Sequence, residues 1–268
     1  MGGKIFVETH EKLEINLAGI GLRLAGVPER AAALMRNRYG AFLGGPAEAE
    51  WEIAWGVEAR TEGPWEMEYE ERGGVWKFGR GDFQAEWNEA EKRGRAEFDD
   101  SEYSFDAFLR AFISMTLLKS GGGLFHSCGL VKDGKGYLFA GVSGAGKSTL
   151  AARAGKEFLL SDELTALRRR GDTFEVCGTP FMGELNVGGR NVCVPIGRVF
   201  LLSKDSPRGR ERVKPSEAAA DLWSTLMCFS RSYGCVDRAL DLCETLVSRL
   251  PVERISIDVG KDIWPQVE

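Results

Sequence analysis

Residues 137–150 read Tyr-Leu-Phe-Ala-Gly-Val-Ser-Gly-Ala-Gly-Lys-Ser-Thr-Leu, and no other stretch restricts the fold as strongly. Within it, Gly141, Val142, Ser143, Gly144, Ala145, Gly146, Lys147 and Ser148 fill the pattern G-x-x-x-x-G-K-[ST] of phosphate-binding loops. The flanks suit the motif. Residues 137–140 form a short apolar run expected to be a buried strand, and residues 149–156, beginning at Thr149, are expected to form a helix. Glycines at 141, 144 and 146 let the backbone approach a ligand with no Cβ in the way. Successive N–H groups and the helix N-terminus then favour an anion. The expected ligand is a nucleoside triphosphate with Mg2+: Lys147 at the β and γ phosphates, the Ser148 hydroxyl on the metal.

The chain has 268 residues, long enough for one large domain or two small ones, with 43% apolar and 28% charged residues, enough to bury a core. A net charge of −5 argues against a nucleic-acid partner, whose proteins usually present a basic face. No apolar run reaches the length of a membrane span, and the first residues lack a signal core, so no membrane partner and a cytoplasmic location are expected. Phe6 stands where a myristoylation motif needs Ser or Thr. Six cysteines without C-x-x-C spacing and two histidines disfavour zinc, and reduced structural thiols are expected.

The fold class expected is α/β of the mixed α+β kind: an N-terminal antiparallel sheet module over residues 1–120, ending in a bridging helix, and a phosphate-loop mixed-sheet domain over residues 121–268. Strands are expected at residues 5–7 and 13–17. Alternation in residues 50–98 predicts an antiparallel meander with a hairpin at Gly73 and Gly74. Five of the seven tryptophans fall there, read as one packed face rather than a recognition surface. Asp100 and Ser101 can cap a helix to about residue 119 whose apolar face carries Phe105, Phe108, Leu109, Phe112, Met115 and Leu118.

Residues 124–131 are expected to be a strand carrying His126. Residues 158–163, Phe-Leu-Leu-Ser-Asp-Glu, are expected to be a strand ending in two acids, where phosphate-loop proteins place a metal-positioning carboxylate. Asp162 stands 14 residues after Ser148, leaving room for one helix and one strand. Ser148 and one carboxylate of the pair Asp162 and Glu163 are thus the candidate metal set. A hairpin is expected over residues 164–177 and a Gly-rich loop after it. Glu184 and Arg190 in that loop are candidate acceptor-side groups. Residues 208–214 read as a basic turn, residues 216–229 and 236–250 as helices, and residues 252–259 as a last strand.

Three segments in order resemble the HPr kinase/phosphorylase group, which is related in fold to phosphoenolpyruvate carboxykinases. They are the His126 strand, Leu-Phe-His-Ser-Cys-Gly-Leu-Val; the loop ending in Lys147 and Ser148; and Leu-Leu-Ser-Asp162-Glu163-Leu, where the family has an Ala-Asp-Asp-type strand end. The resemblance covers roughly residues 100–260, most closely 123–167. The Gly-Leu-Gly-containing signature that follows the acidic strand of HPr kinases is missing. The layout therefore resembles divergent bacterial HPr-kinase-like proteins with an N-terminal sheet module and a G-T-P-x-x-G-E segment, here residues 178–184. The resemblance implies Mg2+- and ATP-dependent phosphorylation of a hydroxyl, typically serine. It makes Asp162 the general base, Glu163 a metal ligand and His126 a group that tunes the acid–base pair, with Lys147 on the phosphates.

The expected partner besides nucleotide is a hydroxyl acceptor on a peptide, protein or serine-like small molecule, and a homo-oligomer is compatible with the sequence. Two alternatives stand beside this: a small-metabolite kinase, which the early acid suits, and a non-catalytic nucleotide-binding regulator or peptide-binding maturation protein. No L-S-G-G-Q-like segment supports an ABC-type ATPase.

Overall fold

The computed structural model describes residues 10–57, 66–203, 209–229 and 233–268. The strand expected at residues 5–7, Trp65 and Arg208 lie outside them. The chain forms two compact units, Met1–Arg110 and Ala111–Glu268, dividing inside a helix. Both are built on sheets of mixed strand direction with helices, an α+β class.

The first unit contains β1 (His10–Leu17), β2 (Ile20–Pro28), α1 (Glu29–Tyr39), β3 (Ala49–Trp55), β4 (Glu68–Arg72), β5 (Val75–Arg80), β6 (Phe83–Asn88) and β7 (Arg93–Phe98). Its seven strands run in the order β1-β2-β3-β7-β6-β5-β4. Leu13, Ile15 and Leu17 are buried while Glu14 and Asn16 between them are not, the period of two of a half-buried strand. Gly73 and Gly74, with φ of 59° and 82°, close the β4–β5 hairpin in the left-handed region that such turns require. The antiparallel expectation needs correction at β3, which lies parallel to both β2 and β7. Alternation identifies the buried face but is the same for either neighbour direction, so it could not reveal this.

Three of the tryptophans of this segment face the core. Trp51, Trp76 and Trp87 are buried, and the Trp51 ring lies 5.1 Å from Trp87 and 4.7 Å from Phe108. Phe108 belongs to α2 (Glu102–Lys119), whose first turn is capped by Ser101 Oγ accepting from Tyr103 N. The buried Asp106 on the same helix accepts from Arg38, Arg110 and the Tyr39 hydroxyl.

The second unit contains β8 (Gly123–Lys132), β9 (Lys135–Ala140), α3 (Lys147–Ala154), β10 (Leu159–Ser161), β11 (Leu164–Arg170), β12 (Thr173–Cys177), β13 (Cys193–Leu202), β14 (Gly209–Arg212), α4 (Pro215–Thr225), α5 (Tyr233–Arg249), β15 (Val252–Ser256) and α6 (Trp264–Val267). The long β8 is the organiser: residues 123–126 pair with β11, and residues 127–132 with β9. β10 lies antiparallel along its far side, and β9, β13 and β15 run parallel. Leu138 and Ala140 join one core with α4 and α5, while Tyr137 and Phe139 join another with α3 and α6. Burial on both faces explains why β9 reads as an unbroken apolar run.

Four further expectations are corrected. α3 starts at Lys147, two residues earlier than predicted, and stops at Gly155 (φ 98°). Residues 209–212 are an edge strand on β15 rather than a turn, because they pair with residues 253–256, a partner that local sequence does not disclose. The helix expected over residues 216–229 begins at Pro215, with Lys214 as N-cap, and ends at Thr225. Finally, Cys177 and Cys193 form a disulfide, against the expectation of reduced thiols, because β12 and β13 pair them directly. Among the described residues, no helix is long and apolar enough to cross a membrane.

Candidate functional site

The site forms at the ends of β9 and β10, within the second unit. β9 delivers the chain into the glycine loop. Gly144 and Gly146 adopt φ of 78° and 106°, the left-handed region open to glycine. Gly141 is packed so closely that an added Cβ would lie 2.9 Å from Ala145 Cβ. The Ala145 N–H donates to Val142 O, and the Leu150 N–H closes the first turn of α3 on Gly146 O. Among the described residues, the backbone N–H groups of Gly144, Gly146, Lys147, Ser148 and Thr149 have no acceptor. They are the orphan donors of a helix start, together with those of the loop before it. Ser143, Gly144 and Thr149 are exposed, Ser148 half-buried.

Lys147 Nζ folds back onto the loop, donating to Gly141 O at 2.8 Å and Val142 O at 3.0 Å. Burial lowers its pKa from the ordinary lysine value, and the charges of Glu163, Cys128 and Glu184 act in the opposite direction. Glu163 and Glu184 therefore both lie within electrostatic reach of Lys147. An ammonium beside a row of unpaired N–H donors can receive the oxygens of a phosphate chain.

The acidic end of β10 is built by side chains the sequence reading did not single out. Ser161 Oγ accepts from the N–H groups of Glu163 and Leu164 at 3.2 and 3.0 Å, turning the chain from β10 into β11. Thr179 Oγ1 lies 3.3 Å from Ser161 Oγ and donates to Leu164 O. This turn faces Asp162 and Glu163 into different surroundings. Asp162 is 1% exposed, and its Oδ1 and Oδ2 accept from Gly183 N and Leu185 N, each at 3.1 Å. Glu163 is half-buried, with Oε1 3.8 Å from His126 Nδ1. His126 is placed there because β8 and β11 pair it with Leu164.

Cys128 lies on β8 beneath these groups, its thiol pushed up first by burial and then by the Asp162 charge, while Lys147 pulls it down. Among the described residues, no group of three or more His, Cys, Asp or Glu could hold a metal ion by itself. The Gly-rich loop of residues 178–192 completes the site. Glu184 is exposed near Lys147, but Arg190 is held elsewhere, its guanidinium donating to Glu157 O at 2.8 Å. A Cβ on Gly183 would meet Asp162 Oδ2 at 3.0 Å and Glu163 Cβ at 3.1 Å, so glycine permits the close approach of this loop. The small residue before an acid pair and the G-T-P segment were the available signals for Ser161, Thr179 and Gly183. Neither shows that backbone amides 21 and 23 residues away cap Asp162.

No protein-family model matches the chain, and a search of curated proteins finds no match either.

Proposed function

We propose that the chain is an ATP- and Mg2+-dependent phosphotransferase acting on a hydroxyl, most suitably a Ser or Thr of a peptide or protein or a serine-like small molecule. The observation that carries this reading is the set of unpartnered N–H groups of Gly144 and of Gly146 to Thr149 at Lys147, with two carboxylates one strand later in the chain. Lys147 and the amides would hold the β and γ phosphates, and positioning with charge neutralisation is most of what phosphoryl transfer requires.

Ser148 and Glu163 are the residues that would hold Mg2+. This ion keeps several waters and takes one or two carboxylates plus substrate phosphates, so the lack of an all-protein cluster among the described residues fits it. The metal would neutralise charge on the phosphates. Asp162 is assigned the base that takes the proton of the acceptor hydroxyl. Asp162 is 1% exposed beneath residues 183–185, so an acceptor hydroxyl reaches it when those residues withdraw. His126 adjoins Glu163, its Nδ1 3.8 Å from Oε1, and would tune the acidic pair from there. A cytoplasmic location belongs to the same reading.

The test is ATP labelled on the γ-phosphate, incubated with Mg2+, the protein and a native cell extract. Label in a macromolecule, or in a serine-like small molecule, supports the proposal. Label only in inorganic phosphate, or none released, contradicts it.

A further inference from the structure

We propose that Cys177 and Cys193 form a reversible thiol-oxidation site that controls whether the loop of residues 178–192 stays latched on Asp162. The two cysteines stand at the neck of that loop, the last residue of β12 and the first of β13. They are direct cross-strand partners with Cα atoms 4.0 Å apart, joined as a disulfide. The backbone ladder at this neck is thin. β12 and β13 share three residue pairs, and one partner is Pro195, which has no N–H to donate. Beyond it, Gly178 N donates to Val192 O. The covalent bond therefore carries much of the closure.

Past the neck the loop lies on β10. Thr179 N donates to Leu160 O, Arg190 N to Leu159 O, and Gly189 N to Thr179 O. A Cβ on Gly189 would sit 1.6 Å from Leu160 O, so the two backbones are in direct contact. From this base the loop extends the Gly183 and Leu185 amides to Asp162. Closing the neck holds every one of these bonds in reach of its partner. Opening it leaves the latch on single hydrogen bonds, each modest in net stability.

Cys193 is half-buried and Cys177 fully buried, so a thiol reductant reaches Cys193 Sγ first. The co-reactant is a dithiol. Its thiolate attacks Cys193 Sγ, the Cys177–Cys193 bond breaks, and Cys177 leaves as a thiolate that takes a proton. The second thiol of the reductant then displaces Cys193, which is protonated in turn. The protein gains two electrons and two protons, and the dithiol becomes a disulfide.

The consequence for transfer rests on the function proposed above: the reduced protein, with the latch released more often, exposes Asp162 and transfers faster. The experiment uses the full chain in a Cys228→Ser background, since Cys228 Sγ and Cys235 Sγ lie 3.1 Å apart and would respond to oxidant. Oxidised and dithiothreitol-treated protein are compared by hydrogen exchange of peptides spanning residues 178–192. Mant-ATP binding and γ-phosphate transfer are measured on the same samples.

Reduction is expected to speed exchange in residues 178–192 about tenfold, on the scale of local opening. It should leave residues 141–150 unchanged and raise transfer several-fold. The Cys177→Ser/Cys193→Ser protein should behave as the reduced form and ignore dithiothreitol. Should it fold poorly, Cys193→Ser alone breaks the same bond at the half-buried partner. Equal exchange in both redox states overturns the proposal, as does a double variant that still responds to the reductant. Faster exchange with unchanged or lower transfer overturns the latch on Asp162. If neither form binds nucleotide, the phosphotransferase reading fails while the exchange result still decides the thiol site.

Discussion

The Asp162 carboxylate receives the N–H of Gly183 at 3.1 Å, a bond that spans 21 residues of sequence and closes a loop over the buried acid. A side chain at Gly183 would press on Asp162 Oδ2 and on Glu163 Cβ at about the limit of real contacts. We expect Gly183→Ala to push the loop outward. Hydrogen exchange of residues 183–185 should rise about tenfold, while α3 keeps its protection. Unaltered exchange in that segment would show that the loop does not rest on the acids.

Lys147 donates to two loop carbonyls and stands beside unpaired amides. A charge-assisted hydrogen bond contributes about 1.5–3 kcal/mol, so Lys147→Ala should weaken mant-ATP binding about 10–100-fold without unfolding the protein. Titration of the fluorescent nucleotide, with circular dichroism as the folding control, checks this.

The same lysine sets a pH dependence. Burial lowers its folded pKa below the unfolded value of 10.5. Between the two values the unfolded chain binds more protons, so this group makes the nucleotide-free protein more stable as pH rises through that window. Nucleotide binding has the opposite sign, because it needs the ammonium. Affinity should therefore begin to fall with rising pH before 10.5 is reached, and Lys147→Ala should lack both trends.

In the first unit, Asp106 accepts from Arg38, Arg110 and Tyr39, with Arg38 and Arg110 side chains 14% and 19% exposed. Asp106→Ala leaves two poorly solvated cations without their partner and should cost about 3–5 kcal/mol, read by urea unfolding. Burial, and next the Asp106 charge, hold the Tyr39 phenol well above its usual range. The variant should lower it, as followed by tyrosine absorbance.

Much of this arrangement was readable from residue order because it rests on local patterns. The glycine loop, the alternation in β1 and the apolar face of α2 each follow from spacing over a few residues. The direction of β3, the β14 edge and the Cys177–Cys193 pair depend on which strands become neighbours, and cysteines 16 residues apart carry no local pairing signal. At the site, Glu163 and Glu184 lie within electrostatic reach of Lys147, whereas Arg190 is drawn to Glu157 O. Asp162 was legible as an acid at a strand end. Its capping was not, because the donors are backbone amides of Gly183 and Leu185, and every residue but proline offers one.

The most direct test compares wild-type protein with Asp162→Asn for mant-ATP binding and γ-phosphate transfer to the acceptor fraction of a cell extract. A positioned base typically contributes about 100–10,000-fold. The account predicts nucleotide affinity within about threefold of wild type and transfer reduced at least about 100-fold. Transfer at the wild-type rate in Asp162→Asn, or wild-type protein that binds no nucleotide, would contradict it.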